Sequence, residues 1–145
     1  MKCFSKNQRG FTLIEIMVVV VILGILASIV VPRLLDEPEK ARRVSAATQI
    51  RSFEEALGIF KLDNGFYPST EQGLEALVVK PTIGRIPSRY KEGGYIKKIP
   101  LDPWGEAYLY LSPGAHGDFD LFSYGPDGES GGEGENADIA NWNLD

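Results

Sequence analysis

The chain has 145 residues, a mass of 16.0 kDa and a formal net charge of −5 from 15 basic and 20 acidic side chains, which leaves room for one small domain plus an anchor or tail. Residues 102–145 carry ten carboxylates and no Lys or Arg, which argues against sequence-independent nucleic-acid binding, since that needs clustered cations to neutralise phosphates. The single Cys, Cys3, and single His, His116, exclude an intramolecular disulfide framework, a cysteine-based zinc site and a His-rich metal site.

Residues 1–10 hold Lys2, Lys6 and Arg9 and no acid, and residues 10–32 read GFTLIEIMVVVVILGILASIVVP with Glu15 as the one charge. As a helix, residues 11–31 would extend roughly 30 Å, enough to cross a hydrocarbon core. The basic residues in front of the run place residues 1–10 on the cytoplasmic side and the bulk of the chain outside. A secretory signal peptide fits poorly, because the apolar run is too long and Ala27-Ser28-Ile29 is a poor cleavage site. A plain anchor leaves Glu15 unexplained, since a carboxylate inside a membrane costs up to about 3 kcal/mol and is a functional candidate by default.

The stretch RGFTLIE, residues 9–15, resembles the processing motif of type IV prepilins. The resemblance implies cleavage between Gly10 and Phe11 by a prepilin peptidase, N-methylation of Phe11, and Glu15 as the fifth residue of the mature chain. It also implies a leader over 1–10, which would carry Cys3 away, a transmembrane and assembly helix over 11–35, and a globular domain over 36–145. A freed α-amino group has a reference pKa of about 8 and is mostly cationic at neutral pH. Among packed apolar helices a carboxylate needs such a cation, so Glu15 would penalise subunits stacked in the wrong register.

Gly24 and Pro32 interrupt the apolar run, and proline removes a helix hydrogen bond, so a kink or local melting is expected near Pro32, with a second weak point at Asp36-Glu37-Pro38. Residues 39–62 read as an amphipathic helix. Ala41, Val44, Ala47, Ile50, Phe53, Leu57 and Phe60 recur on one face at spacings of three and four, while Arg42, Arg43, Arg51, Glu54 and Glu55 fall largely elsewhere. DNGFYP (63–68) ends it with turn chemistry, and TEQGLEAL (70–77) suggests a short helix with Thr70 as its cap. Residues 80–94, rich in Pro and Gly, read as a loop, and EAYLYL (106–111) and DFDLFS (118–123) as short strands packed on the amphipathic helix. Trp104 in DPWG and Trp142 read as turn and core anchors, and His116, Asp118 and Asp120 offer no paired nucleophile and base.

Residues 125–138, GPDGESGGEGENAD, combine five Gly with Asp127, Glu129, Glu133, Glu135 and Asp138. Such a loop either stays solvated or is gathered by a hard dication with oxygen ligands. An EF-hand register started at Asp127 puts Gly131 at position 5 and ends on Asp138 rather than on a bidentate Glu, so this is not an EF-hand.

The stretches YPSTEQGLEAL, GGYIKKIPLDPWG, SPGAHGDFDLFSYGPDG and GGEGENADIANW resemble the major pseudopilins of the type II secretion system, over nearly all of residues 9–143. The resemblance implies an α+β, type IV pilin-like fold with a long N-terminal helix on a small antiparallel sheet, and no enzymatic activity. It implies a single-pass inner-membrane protein with its globular domain in the periplasm. There it would polymerise with itself into a helical pseudopilus that helps export folded proteins across the outer membrane. Its implied partners are minor pseudopilins, the prepilin peptidase, the inner-membrane assembly platform and, indirectly, a cytoplasmic ATPase. It further implies a structural calcium ion held by the Tyr124 backbone carbonyl, Asp127 and Asp138, with Ser130, Glu133 and Asn136 as candidates for the variable loop centre. The alternative is a type IV pilin of a surface fibre for adhesion, motility or DNA uptake. Such pilins usually close the C-terminal region with a disulfide, which this chain cannot form.

Overall fold

The computed structural model describes residues 10–144, with the side chains of 29–37 outside the description. Apart from Gly10, the expected leader, Cys3 included, lies outside the described residues. The chain divides into two compact units, 1–38 and 39–145.

In the first unit the helix α1 (Leu13–Asn64) starts on Thr12, whose carbonyl and Oγ1 both accept from the Glu15 N–H, at 3.1 and 3.3 Å. Thr followed three residues later by Glu is the sequence of a helix-start box, and an acid in the first turn suits the positive end of the helix dipole. Every large apolar side chain from Phe11 to Leu26 is exposed, Leu13 by 82%. Among the described residues no helix is long and apolar enough to cross a membrane; the described side chains of the apolar run stop at Ser28. The helical assignment passes Pro32 and Pro38 without a break, so the expected local melting at Pro32 is not seen. A proline withholds one N–H, and the remaining bonds of the ladder can carry the helix past it.

In the second unit α1 turns Ala46, Ile50, Phe53, Ala56, Leu57 and Phe60 into the core. The phase differs from expectation at one end. Val44 is 66% exposed and Ala41 is exposed, while Ala46 is fully buried. The helix ends where DNG predicts: Gly65 adopts φ 82° and its N–H reaches the Lys61 carbonyl, a left-handed cap that favours glycine. Phe60 is ringed by Phe66 and Tyr90 edge-on and by Tyr95 at a tilt.

The expected helix over 70–77 is a 3-10 helix, Leu74–Leu77, and Thr70 does not cap it. Thr70 instead clasps Ser112, accepting its N–H and donating to its carbonyl. Ser69 and Gln72 bond each other reciprocally, and Gln72 Nε2 also donates to the carbonyls of Ile83 and Arg85, which holds the 80–94 loop against the unit.

The strands β1 (Leu109–Leu111), β2 (Asp120–Ser123) and β3 (Ile139–Ala140) form one antiparallel sheet in that order. β1 and β2 are shorter than expected because other groups take the backbone at their ends. Glu106 pairs with Asp102, and the Asp118 and Phe119 carbonyls accept from Gly114 and from the Asn141 side chain. β3, only two residues long, escapes any periodicity argument. Tyr108, Tyr110, Phe119, Leu121 and Ile139 complete the core from the sheet side.

Candidate functional site

At the N-terminus Gly10 and Phe11 precede the helix and are both exposed, Phe11 by 78%. The bond between them therefore lies in accessible, non-helical backbone. Glu15 is exposed on the first turn among Ile14, Ile16 and Met17, also exposed. Besides its expected assembly role, Glu15 donates its backbone N–H to Thr12.

The acidic loop is the connection between β2 and β3. The register pairs Phe122 with Ala140 and Ser123 with Ile139, so Tyr124 and Asp138 come next on the two sides, just beyond the ladder. Gly125, buried at φ 75°, faces the returning chain, where a Cβ would make ordinary contact with Ile139 Cδ1 at 3.5 Å and the Ala137 carbonyl at 3.6 Å. A short 3-10 helix, Gly125–Asp127, follows, and Asp127 Oδ1 accepts from the Glu129 N–H. At the far end Asp138 closes the loop on Gly131 twice: its N–H reaches the Gly131 carbonyl and its Oδ2 accepts the Gly131 N–H at 3.0 Å. Asp138 Oδ1 is buried with no hydrogen-bond partner.

Ser130, Glu133 and Asn136 are exposed. The Asn136 carbonyl lies against Gly132, where an added Cβ would stand 2.4 Å from it. The register thus leaves Tyr124 and Asp138 flanking the end of the β2–β3 ladder, while Asp127, Ser130, Glu133 and Asn136 are all exposed. Among the described residues no group of three or more His, Cys, Asp or Glu side chains is placed to hold a metal ion. Any hard-cation site here would draw largely on backbone carbonyls, with Asp127 and Asp138 as carboxylates.

Asp102, 5% exposed, accepts from the Trp104 and Glu106 amides through Oδ1 and from Ser123 Oγ through Oδ2. Ser123 Oγ in turn accepts from Gly125 N–H, so a buried polar chain fixes the point where the loop leaves β2. Arg43 and Arg51 of α1 reach the carbonyls of Glu135, Ala137 and Leu144. The spacing places both arginines largely off the apolar face, and no spacing rule points a helix arginine to carbonyls 92 to 94 residues away.

His116 stacks on Trp142 at 3.9 Å and bonds through Nδ1 to Asp120 Oδ2 at 3.0 Å. Asp120 also accepts the Ala115 and His116 amides. Burial pushes its carboxyl up, but the hydrogen bonds from His116 and the two amides outweigh this and hold it below the usual carboxylate range. Asp120 is thus a turn-holding carboxylate.

The profile described as type II secretion system (T2SS), protein G, matches residues 33–142, and the prokaryotic N-terminal methylation motif matches residues 5–31. The type II secretion system core protein G of Vibrio cholerae serotype O1 is 60% identical over 139 residues, covering 96% of this chain and 94% of the relative. The protein of the same name from Pseudomonas aeruginosa is 56% identical over 137 residues, covering 94% and 96%. The crystal structure of the major pseudopilin from the type 2 secretion system of enterohaemorrhagic Escherichia coli superposes with a TM-score of 0.68 at 46% identity, covering 78% of this chain and 96% of that one. Sequence along nearly the whole chain and fold thus agree, and the chain belongs to the type II secretion system protein G family.

Proposed function

We propose that this chain is the major pseudopilin of a type II secretion system, a non-enzymatic subunit that polymerises into a periplasmic pseudopilus and drives export of folded proteins across the outer membrane. The observation that carries the reading is the run of exposed apolar side chains from Phe11 to Leu26 in a chain whose second unit has its own closed core. Apolar surface of that extent is stable only in lipid or against other apolar helices. Residues 11–35 hold the subunit in the inner membrane, and 36–145 stand in the periplasm. Removal of 1–10 between Gly10 and Phe11 frees the amine that is then methylated. In the filament the helices leave lipid and pack on one another in open, head-to-tail fashion, with Glu15 meeting an amine. Minor pseudopilins, the prepilin peptidase, the assembly platform and its ATPase are the partners this role needs. The relatives' names do not favour the surface-fibre alternative.

The acidic loop takes a structural calcium ion in this reading. The fit rests on Asp138 Oδ1, a buried carboxylate oxygen with no donor, which costs free energy unless a cation meets it. Asp127, Asp138 and the Tyr124 carbonyl are the first ligands, completed from Ser130, Glu133 and Asn136. Bound calcium would neutralise the loop's clustered carboxylates and staple β3 to the rest of the unit.

The test is complementation in cells lacking their own core protein G. The wild-type chain restores secretion. Glu15→Ala accumulates as a processed, folded subunit but lowers secretion at least tenfold. Surface fibres with unrestored secretion would support the fibre alternative instead.

A further inference from the structure

A single nitrogen, Arg43 Nη1, donates to the carbonyls of Glu135 and Ala137, both at 2.8 Å. These carbonyls flank Asn136 at the end of the short 3-10 helix Gly134–Asn136, where backbone oxygens lack helical partners. The next residue is Asp138, which closes the loop through Oδ2 and keeps Oδ1 buried and unpartnered. Five of the residues 125–138 are glycines, so the loop has little packing of its own and much conformational freedom to lose.

We propose that Arg43 is a positioning residue for the acidic loop. By holding two carbonyls from the helix side, it presets Asp138 in the shape in which it would meet a cation. Part of the ordering that cation binding would otherwise have to impose is then already done, which favours binding. Arg43 acts through Glu135 and Ala137 and is not itself a ligand. The effect on affinity rests on the calcium reading above; the effect on loop order does not. Because one nitrogen makes both bonds, a lysine ammonium can replace much of it. A side chain without a donor cannot.

The experiment uses the full processed chain in detergent micelles, comparing wild type, Arg43→Met, Arg43→Lys and Arg42→Met. Arg42 is the control, since its guanidinium pairs with Glu39 one turn away on the same helix. Calcium titration calorimetry is read beside amide exchange with chelator present. The reporters are the Gly131, Asn136, Ala137 and Asp138 amides, which are bonded within the loop. Arg43→Met is expected to weaken calcium binding about tenfold or more, the scale seen for groups that orient metal ligands, and to speed exchange at those amides alone. Arg43→Lys should recover most of both effects, and Arg42→Met should change neither. Unchanged or tighter calcium binding in Arg43→Met, beside a wild type that binds calcium, would overturn the proposal. So would a lowered melting point with uniform loss of protection across the unit, the mark of a purely structural arginine. If the wild type binds no calcium, the calcium reading fails, and the exchange data alone decide whether Arg43 orders the loop.

Discussion

Between Leu13 and Leu26 α1 leaves every large apolar side chain outside, whereas between Glu39 and Asn64 it buries Ala46, Ile50, Phe53, Ala56, Leu57 and Phe60 and keeps Val44, Ile59 and Leu62 exposed. Both stretches belong to one helix by backbone criteria. What separates them is where their partners lie. The second stretch meets a sheet and an aromatic cluster supplied by the same chain. The first keeps its large apolar side chains exposed among the described residues, and apolar surface of that extent is stable only in lipid or against other apolar helices. Hydropathy alone does not tell a core face from an assembly face. Self-containment of the neighbouring unit does.

The largest expected effect lies on the packed stretch. Phe60→Ala removes a fully buried ring from contact with Phe66, Tyr90 and Tyr95 and should cost about 3–5 kcal/mol of unfolding free energy in denaturant titration. A cost within about 0.5 kcal/mol would mean that the second stretch is not held by its own core. A smaller effect comes from Asp120, whose carboxyl is held low by His116 and the neighbouring amides against the opposing effect of burial. A lowered pKa adds stability above the ordinary value of 3.8 and loses it as the pH falls through the folded value. Asp120→Asn should therefore be less stable than wild type at neutral pH, with the difference narrowing in acid. A gap that does not change with pH would remove the carboxylate from the account. The smallest effect is expected at Val44, which sits in the packed stretch but is exposed like the first. Val44→Ser should shift unfolding by no more than about 0.5 kcal/mol.

Much of this was legible in sequence because the signals were local. The basic start, the apolar run and Glu15 mark the first stretch, and DNG marks the end of the helix at Gly65. The face over 39–62 was legible in its later turns and wrong in the first. Ala46 takes the inward position and Val44 stays exposed, and a spacing rule anchored on Val44 points elsewhere. Features made by long-range partners were not legible. Thr70 looked like a cap but bonds Ser112, 42 residues away. Arg43 and Arg51 fall off the apolar face by spacing, yet they hold the acidic loop and the chain end. Composition marked the loop as a candidate, and only the fold revealed that Asp138 keeps one buried oxygen without a partner.

The most direct test of the acidic loop as a stapled element is thermal unfolding of the full processed chain in detergent, with calcium, with magnesium and with chelator, beside Asp127→Ala and Asp138→Ala. The account predicts a higher midpoint with calcium alone, worth about 2.7 kcal/mol at one hundred times the dissociation constant and abolished in both variants. Superimposed wild-type curves in all three conditions would contradict it.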